Sequence, residues 1–174
     1  MSATATLQSR TAALHGRVDA AFGGYRLDDA GSYRRFLLAH AQALAAAESL
    51  RSRDGTGPDG RSRMALLTRD LSDLGSAVPP PVATEPTPHP AYAWGVHYVL
   101  EGSRLGGALL ARRVGPDLPT RYLGAGHEAG EWRETRVRID AEAAGGGAQW
   151  LEDAVVGAEA CFDLYLRAAA TYPP

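Results

Sequence analysis

The chain has 174 residues, 45% of them hydrophobic and 22% charged, with a net charge of −2. That is one domain's worth, 1–174, able to bury roughly 70% of the surface its unfolded chain exposes, and the composition excludes wholesale disorder, collagen and a disulfide scaffold. All 18 basic residues are Arg, and the acidic excess leaves no basic footprint of a nucleic-acid binder.

In chain order, Leu7, Thr11, Leu14, Val18, Ala21 and Phe22 recur at three and four, which predicts a first helix over 6–22 ended by Gly23 and Gly24. A second start signal at Ser32 opens a long amphipathic helix to about Arg51 through Tyr33, Phe36, Leu37, His40, Leu44 and Ala47. After the loop RSRDGTGPDGRS, a third helix runs from about Arg61 to Leu74, with Gly75 as its stop. AVPPPVATEPTPHP is an extended connection that its prolines keep from being helical. Pro90 then suits a helix start, and Ala91 to Val114 reads as a long helix with glycines in its middle. A short piece near Pro119–Leu123, a helix from about His127 to Ala144 and a last one from about Ala148 to Tyr172 complete the chain. Almost nothing alternates with period two, so the class is all-α, helices packed around a central space.

No run approaches eighteen apolar residues, and MSATATLQSR lacks the basic-then-apolar order of a signal peptide. A single Cys, Cys161, closes no internal disulfide, and no CxxC pair or Cys/His cluster offers structural zinc. The expectation is native structure from the start of the chain, no membrane partner, and a reducing cytoplasm.

Gly102, Gly106 and Gly107 interrupt an otherwise buried helix, and each interior glycine costs about 1 kcal/mol relative to Ala. They serve either close helix–helix packing or a kinked backbone that must approach a flat ligand. His15 lies on the face of Thr11, Val18 and Phe22, directed toward the core, with Asp19 one turn on and able to orient the imidazole. One imidazole with a carboxylate behind it is too little for protein-only zinc but enough for haem, whose porphyrin supplies the other four nitrogens.

Other constellations fall away. GxGxxA at Gly124, Gly126 and Ala129 follows no buried strand, so the dinucleotide fingerprint is rejected. No His has a Glu three residues before it, which removes the carboxylate di-iron bundle. Ser103 sits in no GxSxG elbow. His40 and His97 read as core or pocket wall, His89 as a solvated loop residue, His127 as a helix cap and Cys161 as a small core residue. Arg133 and Arg136 share a face, with Arg112 or Arg113 beyond the glycine helix. They are either a solvated surface or the mouth of a pocket that anchors carboxylates.

Together the segments TAALHGRVD, YRRFLLAH, LLTRDLSDLG, YVLEGSRLGG and GEWRETRVRID resemble the bacterial haem oxygenases, nearest the bacteriophytochrome-associated subgroup, in order from Leu7 to Arg167. YVLEGSRLGG is the most specific of them. The resemblance implies an all-α haem-oxygenase-like bundle with haem between a proximal helix, the first, and a kinked distal helix, 91–114. By the family pattern His15 is the iron ligand, Asp19 its partner, and Gly102 and Gly106 the distal glycines, with Gly107 beside the haem. Arg133 is the first choice for a haem propionate, with Tyr98 and Arg136 behind it.

Haem then serves as both substrate and cofactor. It is opened to biliverdin with release of carbon monoxide and ferrous iron, using dioxygen and electrons from a ferredoxin or reductase, and a bacteriophytochrome is one destination of the bilin. Many relatives carry Asp after the first distal glycine where this chain has Ser103, so a hydroxyl must help organise proton delivery there. Gln8 stands where some relatives have a basic residue. Two further readings remain: a haem-binding or haem-storage protein of the same fold, and a helical enzyme that reuses the bundle without haem.

Overall fold

The structure, a computed structural model, describes residues 2–52, 57–85 and 89–174. Among them are six helices and no strand: α1 (Ala3–Phe22), α2 (Ala30–Ser52), α3 (Met64–Asp73), α4 (Pro90–Ala111), α5 (Arg121–Gly124) and α6 (Glu131–Thr171). The all-α expectation holds. The loop after α2 and the proline-rich connection before α4 are expected where they fall, with 53–56 and 86–88 outside the described residues.

Boundaries shift for local reasons. α1 starts earlier than its apolar period because the Ser2 hydroxyl accepts from the Ala5 N–H, while the Thr4 N–H donates to Asp140 of α6. α2 starts two residues before Ser32, whose N–H donates to Asp29 Oδ1 at 2.8 Å. Arg61 to Arg63 stay outside α3, and the Ser62 hydroxyl accepts from the Met64 N–H. Gly75, at φ 69°, closes α3, with the Ser76 N–H reaching back to the Leu71 carbonyl. The two C-terminal helices expected from sequence form one length, α6, broken at Gly147 with φ 71° and ψ −163°. α6 begins at Glu131 rather than His127, after Gly130 at φ 87°.

α6 is the spine against which α1, α2 and α4 pack. The α4–α6 crossing is made by two glycines. A Cβ on Gly95 would collide with the Ala154 carbonyl, and one on Gly157 with the Tyr92 carbonyl. The core continues through Tyr33, Phe36 and Leu44 of α2 and Leu67 and Leu71 of α3. On α1 the buried residues are Ala3, Thr4, Leu7 and Thr11, all in its first half, while Leu14, Val18 and Phe22 of its second half are only partly buried against the core. Among the described residues no helix is long and apolar enough to cross a membrane.

Candidate functional site

Along the second half of α1 lies a cavity of about 570 Å³, within the range of sites that take drug-sized ligands. α1 lines it with His15, Asp19 and Phe22, α4 with Tyr98, Gly102 and Gly106, and α6 with Trp132, Arg136 and Phe162. Of the expected site residues, His15, Asp19, Tyr98, Gly102, Ser103, Gly106, Gly107 and Arg136 lie on its lining and Arg133 does not.

The α1 wall corrects one expectation. His15 does not enter the core: its side chain is 63% exposed, opening into the cavity beside Phe162 at 5.6 Å between ring centroids. Asp19 reaches the imidazole as expected, its Oδ1 3.6 Å from Nε2. In this rotamer the carboxylate approaches the nitrogen that a metal would most often use.

α4 stays helical through Gly102, Gly106 and Gly107, none of which takes positive φ. The three glycines do different things. A Cβ at Gly106 would meet nothing within 4 Å, and one at Gly102 would reach ordinary contact with Trp132 at 3.6 Å. A Cβ at Gly107 would press on the Leu123 carbonyl at 3.1 Å, so this glycine is mainly a packing residue against α5 although it borders the cavity. Gly107 thus fits the packing reading, while Gly106 leaves the α4 wall open to the cavity.

Ser103 bonds back within α4, and to Leu100 rather than Val99: its Oγ donates to the Leu100 carbonyl at 2.7 Å. It also accepts from Arg63 Nη2, which lies 3.3 Å from the same carbonyl. Arg63 caps α3, is 3% exposed, and holds its guanidinium over the Tyr122 ring at 5.0 Å from the centroid. Tyr122 is held by α5, which the buried carboxylate of Asp70 fixes by accepting from the Tyr122 N–H at 2.9 Å and from Arg121 at 3.0 Å. The Tyr122 hydroxyl meets His40 Nδ1 at 2.8 Å. Burial, seconded by the charge of Arg63, lowers the His40 pKa to about 3, so this histidine of the pocket wall is neutral at ordinary pH.

At the α6 edge the helical period separates the two arginines. Arg136 lines the cavity one turn from Trp132, over whose ring it lies at 5.9 Å, whereas Arg133 is exposed and off the lining. Of the two, it is Arg136 rather than the first choice, Arg133, that the fold brings to the cavity. Tyr98 is on the lining, its hydroxyl pKa raised by burial against an opposing pull from Arg136.

His127 is not a cap: its Nε2 lies 3.3 Å from Glu101 and its ring stacks on Trp132. His89 is exposed in the loop, as expected, and its side chain also caps α4 by accepting from the Ala91 N–H. Cys161 is buried, as expected, and burial raises its thiol pKa to about 12. Arg63 is the residue that the sequence reading missed. Its signal is a charge four and eight residues before Leu67 and Leu71, on the buried face of α3.

No family model matches the chain. Over 149 residues it is 33% identical to the haem oxygenase of Xanthomonas campestris pv. campestris (strain 8004), covering 77% of this chain and 86% of that protein. The chain belongs to the haem oxygenase family. It is thus the homologue of an oxidoreductase. The NO- and CO-bound haem oxygenase from Neisseria meningitidis shares the fold at a TM-score of 0.80 and 22% identity, over 99% of this chain and 92% of that one.

The donor set fits what a haem oxygenase needs of its protein. Among the described residues no group of three or more His, Cys, Asp or Glu could hold a bare metal ion, while of the two histidines on the largely apolar cavity His40 is engaged by the Tyr122 hydroxyl and His15 is open, facing an α4 wall left bare at Gly106.

Proposed function

We propose that the cavity takes haem as substrate and cofactor and that the protein opens it to biliverdin, releasing carbon monoxide and ferrous iron. Dioxygen and electrons from an external ferredoxin or reductase complete the reaction. The observation that carries this reading is a solvent-open imidazole, His15, on one wall of a 570 Å³ cavity whose other helical wall is kept free of side-chain atoms at Gly106. Membership of the haem oxygenase family supports it.

In this reading His15 is the iron ligand. A half-turn of its ring would hand Nδ1 to Asp19 and free Nε2 for the metal, making the carboxylate an orienting partner. Gly102 and Gly106 leave room for a flat ring against the α4 backbone, and Gly107 keeps α4 close to α5 beneath that surface. Tyr98 and Arg136 anchor the ligand's carboxylates, Arg136 through charge-assisted hydrogen bonds at the mouth.

Bound haem supplies the metal at which dioxygen is reduced and the ring that is opened. The chain contributes the rest: His15 fixes the ligand, Val18, Phe22 and Leu110 exclude water, and the hydroxyls of Tyr122 and Ser103 hold protons in set directions. The likeness of YVLEGSRLGG to the bacteriophytochrome-associated subgroup favours a phytochrome as acceptor of the bilin. One domain spanning 1–174, working in the cytoplasm where reductant is at hand, is part of the same proposal.

The test is to add hemin, then ascorbate under air, to the wild type and to His15→Ala. A histidine-ligated spectrum that turns to a green product supports the proposal. A stable haem spectrum indicates haem storage, and no Soret change indicates a bundle without haem. His15→Ala is expected to lose the ligand spectrum and keep its helical circular dichroism, and a wild-type spectrum in that variant would overturn the ligand assignment.

A further inference from the structure

Three arginines lie buried beside α4: Arg51, Arg63 and Arg104. Arg51 and Arg104 share the carboxylate of Glu101, at 3.7 and 2.7 Å. Arg63 has no carboxylate within ion-pairing distance among the described residues, although it is as buried as the others. A cation removed from water without a counter-charge costs several kcal/mol unless other groups compensate. Here the compensation is two neutral acceptors, Ser103 Oγ and the Leu100 carbonyl, and the face of Tyr122. Both hydrogen bonds use Nη2, so the rest of the planar fork remains for a ligand, and Arg63 lines the cavity.

The seat is rigid. Arg104 donates to the Arg61 carbonyl at 2.5 Å, Arg51 to the Gly60 carbonyl at 3.1 Å, and the Arg63 N–H to Glu48 at 3.2 Å. The Glu101 cluster, which lies off the cavity lining, thus clamps the segment that delivers Arg63. Ser103 has one hydroxyl proton, already given to Leu100, and toward Arg63 it can only accept. It cannot donate into the cavity while this arrangement holds.

We propose that Arg63 supplies a fixed positive charge to the α4 side of the cavity, where it binds a small anionic or strongly polar oxygen ligand of the bound haem, and that Ser103 is the positioning residue that anchors it. The inference rests on the haem reading above.

Fluoride affinity of the haem-loaded ferric protein, read from its absorption spectrum, tests this apart from turnover, with imidazole as a neutral ligand for comparison. Arg63→Met is expected to weaken fluoride about thirtyfold and imidazole by less than about threefold, while Arg63→Lys recovers part of the loss. Ser103→Ala is expected to weaken fluoride about fivefold alone and not at all in the Arg63→Met background, because both changes act through one guanidinium.

Should Arg63→Met fold poorly, Arg63→Lys and Ser103→Ala carry the same comparison. Wild-type fluoride affinity without Arg63, or a Ser103→Ala effect that persists without it, would overturn the proposal and leave the haem reading standing. Failure of the wild type to take up haem would overturn both.

Discussion

The two ends of the α4–α6 pair use the same residue for opposite purposes. At the packed end, Gly95 and Gly157 are glycine because backbone from the other helix occupies the space of a side chain, the Ala154 and Tyr92 carbonyls lying inside any real Cβ contact. At the cavity end, Gly106 is glycine with nothing within 4 Å of where its Cβ would be. One end spends its missing atoms on helix–helix contact and the other on emptiness. Gly107 belongs with the first kind and Gly102 lies between them, since its Cβ would reach Trp132 in ordinary contact at 3.6 Å. Interior glycines cost a helix about the same wherever they are, so only what faces them separates a packing glycine from a binding one.

The largest expected effect breaks the packed end. Gly157→Val should cost about 3 kcal/mol, lowering the melting temperature by roughly 10 °C, because the new side chain forces α4 and α6 apart against backbone that cannot yield. Circular dichroism melts decide it. A wild-type melt for Gly157→Val would mean that the crossing is far looser than described.

The next effect should fall on binding and spare stability. Gly106→Leu is expected to weaken hemin by about a hundredfold, near 2.7 kcal/mol, while the protein without haem melts at or slightly above the wild-type temperature, since Leu favours a helix over Gly. Gly107→Leu should invert the pattern, losing stability first through its clash with the Leu123 carbonyl. If the two variants behave alike in hemin titration and in melting, the division between packing and cavity glycines is wrong.

How much of this was legible follows from the same division. The glycine run of α4 stands out because it interrupts long apolar side chains, whereas Gly95 and Gly157 are hidden among alanines, in YAWG and VVGAEA, where one missing methyl changes the pattern little. His15 is visible as a titratable group on an apolar face, but periodicity cannot tell a face turned to the core from one turned to a cavity, which is why the ring is open where burial is expected. Helix phase decides between Arg133 and Arg136 only once the start of α6 is known, and Gly130 moves that start to Glu131. Arg63 falls in a segment read as the first turn of α3. The hydrogen bonds of Ser62, Arg51 and Arg104 hold that segment as a loop, and the partners of the Arg63 side chain are 37 to 59 residues away in sequence, beyond any local pattern.

The smallest effect extends the comparison to pH. His97, buried on α4 away from the cavity, has its pKa lowered to about 4 by burial, against an opposing pull from Glu101, and His40 at the cavity wall is lowered to about 3. Both are therefore depressed below the roughly 6.5 of an unfolded histidine. Above pH 6.5 neither state binds the extra proton and both histidines are neutral. As pH falls from there toward 4 the unfolded chain takes up protons that the folded one refuses, so stability drops, by about 1.4 kcal/mol per pH unit for each histidine well inside that window. Below the folded pKa values the slope ends. His97→Leu and His40→Leu should each flatten the acid limb by that amount in urea unfolding between pH 6 and 5. Their cost at pH 8 should differ, because His97 Nδ1 has no hydrogen-bond partner among the described residues to abandon whereas removing His40 takes away the partner of the buried Tyr122 hydroxyl. His40→Leu is accordingly the more destabilising by about 1 kcal/mol at pH 8. A steep acid limb that survives both substitutions would place the protonation elsewhere.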